Sequence, residues 1–270
     1  MNSIEKYNIK DETGIHYKSL ICSVAGSVGY KEPFSDLDYR IKELTQSFFN
    51  QWRFIIETYQ RLDYFFKELN KCSDIAIKEN IFSDYDIYAT KHEIDFRDYS
   101  YLLIISIKTY LDLFVCLIDI IINQKIREEY DLPDLYKFGR IRNNIPNDII
   151  LELDKLKDKD IYFWIFLIKD TRDKIVHRGY HLKPKFGFNK SEDLIIQVYQ
   201  GTDFYTNQIL INIGDLFDSF MTEMPQIEAR ISTILIDNIE VLNMELDYEL
   251  SYIFGDLINN YIYKEIKPSS

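Results

Sequence analysis

From residue 36 onward the apolar positions recur by threes and fours. Leu37, Ile41, Leu44, Phe48, Trp52, Ile55, Tyr59, Leu62, Phe66 and Leu69 fall on one stripe of a helix, so residues 36–69 are predicted to form one long amphipathic helix. Ser35 or Asp36 can cap its start. Residues 70–93 are polar and mixed, and read as a connection holding a short helix. A second long helix is predicted from about Ile94 to Glu129. Its middle ("YLLIISI", "LFVCLIDIII") is apolar on nearly every side, as the central helix of a bundle would be.

Further along, the period changes. Residues 130–160 hold Pro133, Gly139 and Pro146 and read as short helices and turns. "IYFWIFLI" (161–168) opens a helix that runs to 178, where Gly179 is a natural stop. The β-rich runs 193–199 ("DLIIQVY") and 207–213 ("NQILINI") predict one hairpin. Helical spacing then returns from Gly214 to Ile266, through Ile227, Ile231, Ile234, Ile239, Leu242, Leu246, Leu250, Ile253, Leu257 and Tyr261, with Pro225 near a start or a kink. The pattern predicts an all-α protein: a multi-helix up-and-down bundle of long helices with a small β-hairpin inserted at about 193–213. Residues 36–266 are expected to form a single helical domain after an irregular arm over 1–35. Only 9 glycines and 6 prolines in 270 residues fit long uninterrupted elements.

Charge narrows the function classes. A formal net charge of −12 argues against broad non-specific binding to nucleic acid, since phosphates repel an acidic surface, but leaves room for a local basic groove. Two stretches without acids supply candidates. Lys137–Asn147 holds Lys137, Arg140 and Arg142 with Tyr136 and Phe138 beside them; His177–Ser191 holds Arg178, Lys183, Lys185 and Lys190 interleaved with Tyr180, Phe186 and Phe188. Each reads either as a solvated loop or as an RNA-binding rim that pairs cations with stacking rings. Three cysteines (Cys22, Cys72, Cys116) without metal-ligand spacing suggest reduced thiols in a cytoplasmic protein. The N-terminus has no signal-peptide core, and the longest apolar run, Leu113–Ile122, falls short of the ~20 residues a span requires, so no membrane partner is expected.

The chemistry concentrates in "TRDKIVHRGYHLKPK" (171–185). On a helix over 161–178, Trp164, Ile168, Thr171 and Ile175 share the packing side, while Asp173 and His177 lie opposite with Phe166 and Asp170. Arg172 sits at the shoulder, roughly 140° around from His177. It is long enough to lean toward a groove that His177 borders without having to touch it. A histidine exchanges protons near neutral pH, and an arginine offers a planar fork of donors that matches a phosphate. The pair suits RNA cleavage through the ribose 2′-OH without a metal, with Asp173 orienting the imidazole or holding Arg172. The ordinary alternative is an exposed helix face whose terminal His is only a cap. Lys108 and Asp112, one turn apart in "IKTYLDLF", read either as a surface ion pair or as support facing a polar cleft. His177 and His181 have zinc spacing only if the helix continues, which Gly179 opposes, so neither a metal nor another cofactor is expected.

Arg172-Asp173-x-x-x-His177 followed by Arg178-Gly179 resembles the signature of the HEPN superfamily, and "KTYLDLF" (108–114) is similar to the preceding helix in several such families. The frame also resembles uncharacterised bacterial HEPN-like proteins: a long apolar helix, a motif helix ending in His-Arg-Gly, then a hairpin. The resemblance implies an all-α bundle that dimerises so that two motifs face one cleft. It implies a metal-independent endoribonuclease of toxin or defence type, with Arg172 and His177 catalytic and an antitoxin or defence protein as partner. A non-catalytic HEPN-like module binding nucleotide, RNA or a protein is the alternative it allows. Some toxins of the group carry a Tyr two positions after the His. Here Gly179 stands there and Tyr180 follows, which speaks against control by a modifying nucleotidyltransferase.

Overall fold

A computed structural model describes residues 21–22, 24–25, 36–79, 82–124, 134, 146–184, 194–200 and 209–238. Within these, five helices and one small sheet succeed one another: α1 (Asp36–Glu79), α2 (Phe82–Asn123), α3 (Asn147–Lys155), α4 (Phe163–Arg178), β1 (Tyr180–Pro184), β2 (Ile195–Gln200), β3 (Ile209–Asn212) and α5 (Ile213–Asp237). The predicted helical character holds, and the predicted hairpin is present as β2 and β3, paired antiparallel with Gln197 opposite Leu210.

The elements depart from the expectation in several places. The connection expected over 70–93 is helical over 70–79 and 82–93: α1 spans 44 residues and α2 spans 42, and the latter ends at Asn123 rather than Glu129. No glycine or proline lies between Pro33 and Pro133, so nothing in the chain breaks a helix where its surface turns polar. The helix stops instead at Gln124, whose φ of 46° leaves the helical region. Pro225, expected near a start or a kink, lies inside α5. The sheet has a third strand, β1, paired antiparallel with β2; its "YHLKP" lacks the β-branched alternation that would have marked it. The expected arm over 1–35 and the helix beyond 238 lie largely outside the described residues.

Contacts divide the chain into two compact units. One is built from 51–109 and 163–221, the other from 15–50, 110–162 and 222–270, with 1–14 assigned to the first. In the first, Phe220 of α5 meets Trp52 of α1 at 5.0 Å between ring centroids and Trp164 of α4 edge-on at 5.9 Å, while Tyr59 stacks on Phe217 at 3.7 Å. Leu182, Ile196, Val198 and Ile211 are buried from the three strands, so one face of the sheet joins this core. Asn212 ends β3 and caps α5 at once: its Oδ1 accepts the N–H groups of Gly214 (3.0 Å) and Asp215 (3.2 Å).

In the second unit, Phe48 stacks on Tyr110 at 4.1 Å, and Ile41, Leu44, Phe114, Ile118, Ile149, Leu153, Ile227 and Ile231 are buried as well. Cys22 and Cys116 are buried and Cys72 of the first unit is half-buried; burial pushes the Cys116 thiol up to about 12. Glu228 is fully buried, its Oε1 accepting the N–H of Ile21 at 3.2 Å, and burial pushes its carboxyl up to about 8. By length and composition Lys91–Asn123 could cross a membrane, but 67% of its most apolar window is buried in the protein, the environment of a core helix.

Candidate functional site

The motif helix α4 is fixed by the side expected to pack. Trp164, Ile165, Ile168 and Thr171 are buried, and Ile175 is half-buried. The other side is open: Phe166 and His177 are exposed, and Asp170 and Asp173 are partly so. The helix ends at Arg178, and Gly179 takes φ +67°, the left-handed conformation that turns the chain directly into β1. His181 therefore lies on a strand, not one helical turn beyond His177, and the zinc spacing does not arise. Among the described residues no group of three or more His, Cys, Asp or Glu is placed to hold a metal.

Arg172 leans along the helix surface. Its Nη1 donates to Asp173 Oδ1 at 3.0 Å and lies 3.2 Å from His177 Nε2. A guanidinium only donates, so Nε2 is the accepting side of this contact. The second oxygen of Asp173 meets Lys169 Nζ at 3.1 Å. Burial alone would raise the Asp173 carboxyl, but hydrogen bonds from Arg172 and Lys169 outweigh it and hold the group below its ordinary value. Of the two roles open to Asp173, the geometry shows the second: it holds the guanidinium and does not contact the imidazole. Lys169 is the member of this network that sequence reading missed; its i,i+4 spacing to Asp173 was the available signal.

Arg172 Nη1 meets two protein partners, Asp173 Oδ1 and His177 Nε2, which leaves Nε and Nη2 for another ligand. The Arg172 side chain keeps 35% of its surface exposed, so such a ligand can approach from solvent.

The remaining nominated residues divide. Arg178 is exposed, and its carbonyl accepts from Gln200 Nε2 at 3.5 Å. Tyr180 is half-buried, with Lys174 Nζ 5.9 Å from its ring centre. Lys183 is exposed on β1. Lys108 is buried in α2, has interactions of its own and does not join the Arg172–His177 network. Asp112, one turn further, is half-buried and belongs to the second unit. Arg140, Arg142 and Lys185 lie outside the described residues.

No protein-family model, no curated protein and no solved structure matches the chain.

Proposed function

We propose that this chain is a HEPN-like, metal-independent endoribonuclease of toxin or defence type, a helical bundle that works as a homodimer with Arg172 and His177 as its catalytic pair. The observation that carries the reading is the 3.2 Å approach of Arg172 Nη1 to His177 Nε2 at an exposed helix end. The single lone pair of Nε2 is met by Nη1 here; once a bound phosphate draws the guanidinium off it, Nε2 can take the proton of a ribose 2′-OH. The 2′ oxygen then bonds to phosphorus, the bond from phosphorus to the 5′ oxygen breaks, and that oxygen leaves as a hydroxyl. The proton it needs comes from His177 of a second copy across the cleft, or from water. Arg172 meets the charge that develops on the phosphorane with Nε and Nη2, while Asp173 and Lys169 keep the guanidinium in place.

The second reading, a non-catalytic module of the same fold that binds nucleotide, RNA or a protein partner such as an antitoxin, is favoured by the net charge of −12. Incubation of the full chain with end-labelled single-stranded RNA in excess EDTA separates the two. Fragments ending in 2′,3′-cyclic phosphate support the nuclease. Binding without cleavage supports the module, and the absence of both cleavage and binding contradicts the nuclease and the RNA-binding form of the module.

A further inference from the structure

We propose that the solvent face of the three-stranded sheet is a platform for single-stranded RNA, on which His181 and Tyr199 stack bases and Lys183 holds a phosphate, next to the His177 end of α4. The inference deepens the RNA reading above and rests on it for the identity of the strand.

Strand alternation sets the face. Leu182, Ile196, Val198 and Ile211 point into the core, so their neighbours point the other way. The β1–β2 register places His181 opposite Tyr199 and Lys183 opposite Gln197. The rings of His181 and Tyr199 lie 5.8 Å apart and tilted by 43°. His181 and Lys183 are exposed, and Tyr199 and Gln197 partly so. The result is two rings, a cation and an amide in two adjacent cross-strand pairs.

Charge marks the occupant. None of the three strands contains an acidic residue, in a chain with 44 Asp and Glu against 32 Lys and Arg. On such a chain a ligand carrying repeated negative charge is repelled from most of the surface and tolerated here. Aromatic rings on a sheet accept unstacked bases, and a duplex, whose bases are already stacked, offers them nothing.

Position supplies the connection to catalysis. Only Gly179 separates α4 from β1, and four residues of chain hold His181 within at most about 14 Å of His177. The face is also tethered. The N–H of Leu182 donates to Tyr101 Oη at 3.0 Å, which anchors β1 to α2. A base on His181 therefore fixes where the next phosphates can lie relative to Arg172.

The test is fluorescence anisotropy of the full chain with a short labelled RNA whose riboses are 2′-O-methylated, so that cleavage through the 2′ oxygen is blocked. The single strand should bind at least about tenfold more tightly than the same sequence in a duplex. Tyr199→Ala and His181→Ala should each weaken it by about fivefold or more. Lys183→Glu, at an exposed position of β1, should weaken it and flatten its salt dependence. Tyr39→Ala, which removes a ring 68% exposed on α1, should change nothing. Equal binding by the parent and all three face variants, equal affinity for duplex, or no binding by the parent would each overturn the platform. Cleavage of a dinucleotide, too short to span the face, separates this failure from failure of the nuclease. Parent and Tyr199→Ala should cleave it alike, whereas variant-sensitive binding without any cleavage keeps the platform and removes the nuclease.

Discussion

Arg172 Nη1 sits 3.2 Å from His177 Nε2, although the two residues are five apart on α4 and leave the helix roughly 140° apart. The length of the arginine closes that gap, and Asp173 determines where it closes, because the same nitrogen donates to the neighbouring carboxylate at 3.0 Å. Lys169, Asp173, Arg172 and His177 form a chain of contacts in which each group positions the next.

Arg172→Lys keeps the charge and loses the fork. One ammonium cannot hold Asp173, reach His177 and still present donors to a phosphate. RNA cleavage should fall by about 10²–10³ in kcat with the melting temperature nearly unchanged. Single-turnover cleavage on the parent and the variant checks this, and a variant within a factor of two of the parent contradicts it.

Asp173→Asn tests the brace separately. The Asp173 carboxyl is held below its ordinary value in the folded protein, so its contribution to stability is present above the unfolded value, about 3.9, and fades as pH falls through the folded one. The parent should lose stability relative to the variant as pH drops below about 4. The difference should stay within about 1 kcal/mol, because the pair is partly solvated. Urea denaturation across that range measures it. At neutral pH the variant should bind RNA nearly as well as the parent and cleave it more slowly, since Arg172 is no longer held.

Glu228→Gln should stabilise the protein at alkaline pH. Burial raises the folded-state carboxyl to about 8, so between the unfolded value and about 8 the unfolded state releases the proton first and stability declines as pH rises. Glutamine keeps the acceptor for Ile21 N–H and removes that decline. The gain should reach the order of a few kcal/mol at pH 8 and vanish below about pH 4. Thermal melts of both proteins at the two pH values decide it.

Gly179→Ala isolates the turn that joins α4 to β1. At φ +67° an alanine is strained, yet its Cβ would meet nothing within 4 Å, so the cost is conformational alone, about 1–2 kcal/mol. Chemical denaturation should show that loss. A larger one would mean the turn carries packing that the geometry does not show.

How much of this was legible in the sequence depends on what the residues encode. The stripe from Ile41 to Leu69 reads directly, because a helix face must be apolar to be buried, and all nine residues of that stripe are buried. Residues 70–93 read as a connection because their polarity resembles a break; a long helix needs only the absence of breakers to continue past its packed face. β1 was missed because its pairing with β2, not its composition, makes it a strand. Arg172, Asp173 and His177 were nominated from side-chain chemistry and resemblance. Their mutual contact was not legible, since backbone geometry separates the first and last, and only side-chain length and the Asp173 carboxylate bring them together. Tyr199 carried a signal that went unused: it shares the outward alternation of β2 with Gln197, and its partner His181 became visible only with the register.

The central claim is that His177 moves a proton for an RNA substrate held by Arg172. The most direct measurement compares the parent chain and His177→Ala on labelled single-stranded RNA in EDTA, with circular dichroism confirming that both are folded. The account predicts cyclic-phosphate products from the parent and loss of at least about 10² in rate from the variant, with RNA binding retained. Equal cleavage by the two proteins would contradict it.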